Sequence, residues 1–110
     1  MKVAVIGSRG ITDLDISKYI PEGTTEIVSG GAKGVDTLAK EYALMRGLAL
    51  TEFLPEYAKY QRRAPLVRNL QIIDYADIVL AFWDGVSRGT KYVIENCRKA
   101  GRECRVFIIK

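Results

Sequence analysis

Short apolar runs alternate with amphipathic stretches along the whole chain. Lys2 to Ile6 is the first run, rich in Val and Ile with little polar alternation, the pattern of a strand buried on both faces. It ends in Gly7-Ser8-Arg9-Gly10. A helix is predicted from about Asp13, with Asp13 as its N-cap, stopping before Pro21 and Gly23. Thr24 to Ser29 reads as the second strand. Apolar residues then fall at Val35, Leu38, Ala39, Tyr42 and Ala43, the spacing of an amphipathic helix. That helix is predicted over about Gly34 to Arg46, with Gly47 as its stop. Leu48 to Leu54 is the third strand, and Pro55 to Ala64 a polar loop rich in Tyr and Arg. Pro65 suits the first position of a third helix, with Leu66, Leu70 and Ile73 on one face and Arg68 and Asn69 near its start. Asp77 to Phe82 is a fourth, buried-type strand. A fourth helix follows over about Thr90 to Ala100, with Val93, Ile94 and Cys97 inward and Gly101 as its cap. Arg105 to Ile109 closes the pattern as a fifth strand.

Strands that alternate with helices predict an α/β fold with a parallel sheet. Right-handed crossovers favour a Rossmann-like, doubly wound, five-stranded sheet in the order 3-2-1-4-5, with helices on both faces. Residues 1–110 read as a single domain, without repeat or linker. In such a sheet ligands bind beyond the carboxyl ends of the strands, near the switch in strand order. Three turns converge on that edge: Gly7-Ser8-Arg9, Ser29-Gly30-Gly31 and Trp83-Asp84-Gly85. Their convergence predicts a ligand cleft.

The turn running from Ser29 through Gly30, Gly31 and Lys33 to Asp36 is the richest in candidate chemistry. Amides in the first turn of a helix lack intrahelical acceptors and carry the positive end of the dipole. Glycines let a ligand oxygen approach that backbone, and Lys33 adds positive charge. The stretch therefore reads as an anion site or as a plain strand-to-helix turn. Asp36 is a poor direct partner for phosphate; it suits a sugar hydroxyl or a base, or simply the helix dipole. The Arg9 fork fits phosphate. Arg68 and Asn69 read as a surface pair or a site pair. Ser87, Gly89 and Thr90 open the fourth helix, where Thr90 serves as an N-cap or helps hold a second anion. Trp83 packs at the sheet edge or stacks on a base. Tyr57, Tyr60, Arg62 and Arg63 form either a solvated loop or an aromatic and basic interleave for single-stranded nucleic acid. Glu95 reads as a surface residue unless it turns toward the cleft.

Composition narrows these readings. The chain is 48% hydrophobic, as a folded domain is. A net charge of +4 suits a nucleotide or nucleic-acid partner, though modestly. No apolar run approaches the roughly 20 residues of a membrane span, and Val3 to Ile6 is too short for a signal-peptide core. A cytoplasmic protein without a membrane partner is expected. Cys97 and Cys104 fit neither a zinc site nor a redox motif and read as free thiols. The chain has no histidine, which excludes a Ser-His-Asp triad, a Cys-His pair and histidine metal ligation. A general base has to be Asp, Glu, Lys, Tyr or water. Neither a metal nor a cofactor is expected.

With these residues laid out, the sequence resembles the SLOG superfamily of Rossmann-like proteins, and most closely its small stand-alone domains of unknown function. The resemblance rests on Gly7-Ser8-Arg9 with Asp13, on Ser29 to Asp36 followed by Leu38-Ala39, and on Arg68-Asn69. It continues through Ala76-Asp77, Ala81-Phe82, and Gly85 with Ser87-Arg88-Gly89-Thr90. The superfamily includes Lonely Guy phosphoribohydrolases, the Rossmann domain of DNA-processing protein A, and domains thought to sense nucleotide signals. The resemblance implies a nucleotide-derived ligand, with phosphate or ribose at Gly30-Gly31 and at Gly89-Thr90. The phosphoribohydrolase motif carries a catalytic glutamate where this chain has Val93, and Asp84-Gly85-Val86 replaces its Pro-Gly-Gly.

Three functional classes follow. The first is binding of a nucleotide or nucleotide-derived ligand, as sensor or carrier, through Gly7, Ser8, Arg9, Ser29, Gly30, Gly31, Lys33, Asp36, Arg68, Asn69, Asp84, Gly85, Ser87, Gly89 and Thr90. The second is a nucleotide-processing hydrolase with Asp36, Asp84 or Glu95 as acid or base. The third is single-stranded DNA binding. Small α/β domains with apolar helix faces often pair, so a homodimer or higher homo-oligomer is expected.

Overall fold

A computed structural model, describing residues 1–109, has five parallel strands in one sheet. They are β1 (Lys2–Gly7), β2 (Glu26–Ser29), β3 (Ala49–Glu52), β4 (Ile78–Trp83) and β5 (Glu103–Ile108). The order is β3-β2-β1-β4-β5, as the apolar pattern predicts. The continuous apolar runs of β1 and β4 lie at the centre, where both faces are covered. The edge strands β3 and β5 are more exposed.

Side chains of period two feed two cores. On one face, Val3, Val5, Ile27, Leu80 and Phe82 pack with Val35, Ala39 and Ala43 of α1 (Val35–Arg46). On the other, Ala4, Ile6, Val28, Val79 and Ala81 meet Ile72 and Ile73 of α3 (Ala64–Tyr75) and Val93 and Cys97 of α4 (Arg88–Ala100). Successive strands are added toward one edge from β1 to β3 and toward the other from β4 to β5, so the turns after β1 and β4 diverge and leave a crevice. Gly47 and Gly101 end α1 and α4 in the left-handed region, at φ 66° and 69°. Cys97 and Cys104 are both free.

The first crossover departs from expectation. In place of a helix from Asp13 there is a short 3-10 turn, Ile16–Lys18, capped by Asp15, whose carboxylate accepts from the Ser17 amide at 3.1 Å. The buried anchors here are Ile11 and Ile16, five positions apart, which do not share a helix face. Thr12, Asp13 and Asp15 also favour local side-chain bonding over helix. Tyr19 then covers the sheet by packing on Phe82 and Phe107, at centroid distances of 5.1 and 4.7 Å.

The expected loop after β3 contains a single helical turn, α2 (Tyr57–Tyr60), and a 3-10 turn, Gln61–Arg63. The inward face of α3 is also corrected. Ala64, Arg68, Ile72 and Ile73 are buried, whereas Leu66 and Leu70 are 38% and 43% exposed. Ala64, Arg68 and Ile72 recur every fourth residue, and a charged residue at the middle position hides that stripe from a hydrophobicity reading.

Candidate functional site

The turns after β1 and β4 are joined. Ser8 is buried; its amide donates to the Phe82 carbonyl at 3.0 Å, and its hydroxyl accepts from the Asp84 amide at 3.2 Å. Asp84 in turn accepts from the Val86 and Ser87 amides at 2.9 and 2.8 Å. These bonds hold the Asp84 carboxyl below its ordinary range. The loop so fixed delivers the start of α4. Its N-cap, Ser87, makes no side-chain capping bond. The first intrahelical bond is from Lys91 to the Ser87 carbonyl, so the amides of Arg88, Gly89 and Thr90 have no acceptor within the helix. No atom lies within 4 Å of where a Cβ on Gly89 would be.

The second wall is the loop from Gly30 to Asp36. Ser29 Oγ accepts from the Gly31 amide at 3.3 Å. Asp36 Oδ2 accepts from the Ala32 amide at 3.0 Å, and the residue is 7% exposed. Burial pushes the Asp36 carboxyl above its ordinary range, while the Ala32 amide and the Arg68 charge pull it back. Arg68, from α3, donates through Nη1 to the Gly30 carbonyl at 2.6 Å and through Nε to Asn69 Oδ1 at 2.9 Å. Burial lowers the Arg68 pKa, and the nearby Asp36 opposes that shift.

The glycines of this loop are not open to a ligand in the way the sequence suggests. A Cβ on Gly30 would lie 2.9 Å from Arg68 Cζ and nearer still to Nη1. A Cβ on Gly31 would meet the Leu54 side chain. Protein atoms occupy the Cβ side of both glycines, although Gly30 still lines the cavity.

Between the two walls lies a cavity of about 460 Å³. Of the residues singled out in the sequence, it brings together Gly7, Ser8, Arg9, Gly30, Asp36, Arg68, Asn69, Asp84, Ser87, Gly89 and Thr90. Ser29, Gly31, Lys33, Gly85 and Glu95 do not line it; Lys33 and Glu95 are exposed. Sequence reasoning missed Gly10 and Ala32, and an apolar wall of Ile6, Pro65, Leu66, Ile72 and Val93. Part of that wall had a signal. Val93 falls one helical turn after Thr90, and Pro65 one turn before Asn69.

Trp83 lies outside the cavity and donates from Nε1 to the Ser87 carbonyl at 3.0 Å, bracing the start of α4. Tyr57, Tyr60, Arg62 and Arg63 also lie outside it, on α2 and the turn that follows. Among the described residues, no group of three or more His, Cys, Asp or Glu is arranged to hold a metal ion. Nor is any helix long and apolar enough to cross a membrane.

Residues 1–60 match the model of the YAcAr family, described as the YspA, cpYpsA-related SLOG family. The chain belongs to the YAcAr family. The YAcAr match contains the turn after β1 and the whole Gly30–Asp36 loop; Arg68 and the start of α4 lie beyond it. Gene 61 protein of Mycobacterium phage D29 is 32% identical over 81 residues, covering 68% of this chain. The match spans 65% of the phage protein, just under two thirds of its length. No solved structure matches the chain significantly.

Proposed function

We propose that the cavity binds a nucleotide or nucleotide-derived molecule and that the protein acts as a sensor or carrier of it. One observation carries this reading. A single cavity combines the free first-turn amides of a thirteen-residue helix, a buried hydrogen-bond acceptor and an apolar wall. The Gly89 and Thr90 amides suit a phosphate, since their N–H groups and the helix dipole both favour an anion. Arg9, exposed at the cavity, adds a guanidinium. Asp36 accepts from a sugar hydroxyl or a ring amino group. Pro65, Leu66 and Val93 take the apolar face of a base. The volume lies within the roughly 300 to 1,000 Å³ of small-molecule pockets. SLOG membership is consistent with such a ligand.

Two of the three candidate acid/base carboxylates, Asp84 and Glu95, favour binding over hydrolysis. Asp84 is tied to two backbone amides and kept ionised, which makes it a weak proton donor. Glu95 is exposed on the outer side of α4. Val93, in the position of the phosphoribohydrolase glutamate, is 2% exposed and presents only methyl groups to the cavity.

The test is thermal stability of the purified protein against nucleotides, nucleotide derivatives and a short oligothymidine. A ligand at about a hundred times its dissociation constant stabilises by roughly 2.7 kcal/mol, on the order of ten degrees for a domain of this size. The expected result is a shift with one small nucleotide, recovered unchanged by chromatography. Release of free base would replace the sensor reading with the hydrolase. A shift with the oligonucleotide alone would replace it with single-stranded DNA binding, and no shift at all would overturn it.

A further inference from the structure

Arg68 turns its guanidinium toward the protein as much as toward the cavity. It is 8% exposed, yet among the described residues no carboxylate lies within salt-bridge distance of it. Its two hydrogen bonds go to the Gly30 carbonyl and the Asn69 side chain. The guanidinium lies against Gly30, which is why a Cβ there would collide with it. Gly30 does not have a positive φ, so its backbone conformation is open to any residue. Glycine at this position makes room for Arg68.

Asp36 stands at the other end of the same loop, equally buried. The charges that face it are Arg68 from α3 and Glu52 from the end of β3, with the amides of Ala32 and Gly30 beside it. Arg9 repels Arg68 from the turn after β1. A carboxyl buried this deeply favours its neutral form unless a cation opposes the shift. A protonated carboxyl would offer a ligand a donor at one oxygen in place of an acceptor.

We infer that Arg68 is the positioning residue of the cavity: seated on Gly30, it fixes the Gly30–Asp36 loop and so presents the Asp36 carboxyl to the ligand. This deepens the reading of the cavity as a nucleotide site and rests on it. Arg68 acts on the ligand through Gly30 and Asp36.

The experiment is a pH titration of the ligand-free protein by carboxyl-carbon and amide NMR, in the wild type, Arg68→Met, Arg68→Lys and Gly30→Ala. The Ala32 amide reports on Asp36 directly, because it donates to Oδ2. In Arg68→Met the Asp36 midpoint is expected to rise by about one pH unit or more, with the Ala32 amide following the same curve. Arg68→Lys keeps the charge and is expected to return the midpoint toward that of the wild type. Gly30→Ala displaces the guanidinium without deleting it and is expected to move the midpoint in the same direction as Arg68→Met. A purely structural role would lower stability in these variants and leave the Asp36 midpoint in place. A folded Arg68→Met or Gly30→Ala protein with an unmoved midpoint overturns the inference. If Arg68→Met does not fold, Gly30→Ala decides. Addition of AMP to the wild type, read at the Gly89 amide, tests the nucleotide reading separately, because the titration of Asp36 needs no ligand.

Discussion

The buried hydroxyl of Ser8 accepts a hydrogen bond from the backbone amide of Asp84 at 3.2 Å, across the switch point between β1 and β4. With the bond from the Ser8 amide to the Phe82 carbonyl, it joins the two turns that line the cavity. Ser8→Ala leaves the amide without its partner and is expected to destabilise the fold by about 1 to 3 kcal/mol. Urea unfolding measures this directly. Unchanged stability would mean that the two turns are held together by other contacts.

Arg9 is exposed at the cavity, so Arg9→Ala is expected to leave stability within about 0.5 kcal/mol of the wild type. Its effect falls on the ligand. A hydrogen bond to a charged group contributes about 1.5 to 3 kcal/mol, so nucleotide affinity should fall by about tenfold or more. Calorimetry with the matching nucleoside provides the control. An equal loss for nucleotide and nucleoside would contradict a phosphate at this end of the cavity.

Asp36→Asn is expected to exchange function for stability. Burial is the largest influence on Asp36 and raises its pKa above the ordinary 3.8. Folding therefore costs the charged form more than the protonated form. Stability falls as pH rises from that ordinary value through the raised one, and the penalty is complete above it. Asparagine removes the penalty and still accepts from the Ala32 amide. The variant should be more stable than the wild type near neutral pH, with the gap closing in acid, and should bind nucleotide more weakly. Thermal unfolding across pH tests the first part; a variant less stable at neutral pH would contradict it.

Glu26 has the opposite sign. Its carboxylate accepts from Tyr75 Oη at 2.5 Å and Thr51 Oγ1 at 2.7 Å, which lowers its pKa below the ordinary 4.5. The stability it contributes is present above that ordinary value and lost as pH falls through the lowered one. Tyr75→Phe should be less stable near neutral pH, and should lose less than the wild type between about pH 6 and about pH 3. Parallel stability curves for the two proteins would count against the assignment.

Strand order and the converging turns were legible because they depend on local pattern. Val3 to Ile6 and Ile78 to Phe82 are unbroken apolar runs, and the turns after them follow at once in the chain. Which glycine keeps an open Cβ side was not legible. Gly30 and Arg68 are 38 positions apart, and only the folded chain brings the guanidinium onto the glycine. Gly89 has the same composition signal as Gly30 and Gly31, but its Cβ side is open and theirs are filled. Arg68 itself read as a surface or site residue, since a charge in a helix carries no mark of burial. Asp13 was the cap the sequence offered; Asp15, beside the buried Ile16, is the cap in the fold.

The most direct measurement is an amide NMR titration of the wild type with the nucleotide that stabilises it most. The account predicts shifts at Gly89 and Thr90 on the α4 side of the cavity and at Ala32 on the opposite wall, saturating together at one ligand per chain. Shifts confined to Tyr57–Arg63, or a cavity whose amides stay unmoved at saturating nucleotide, would contradict it.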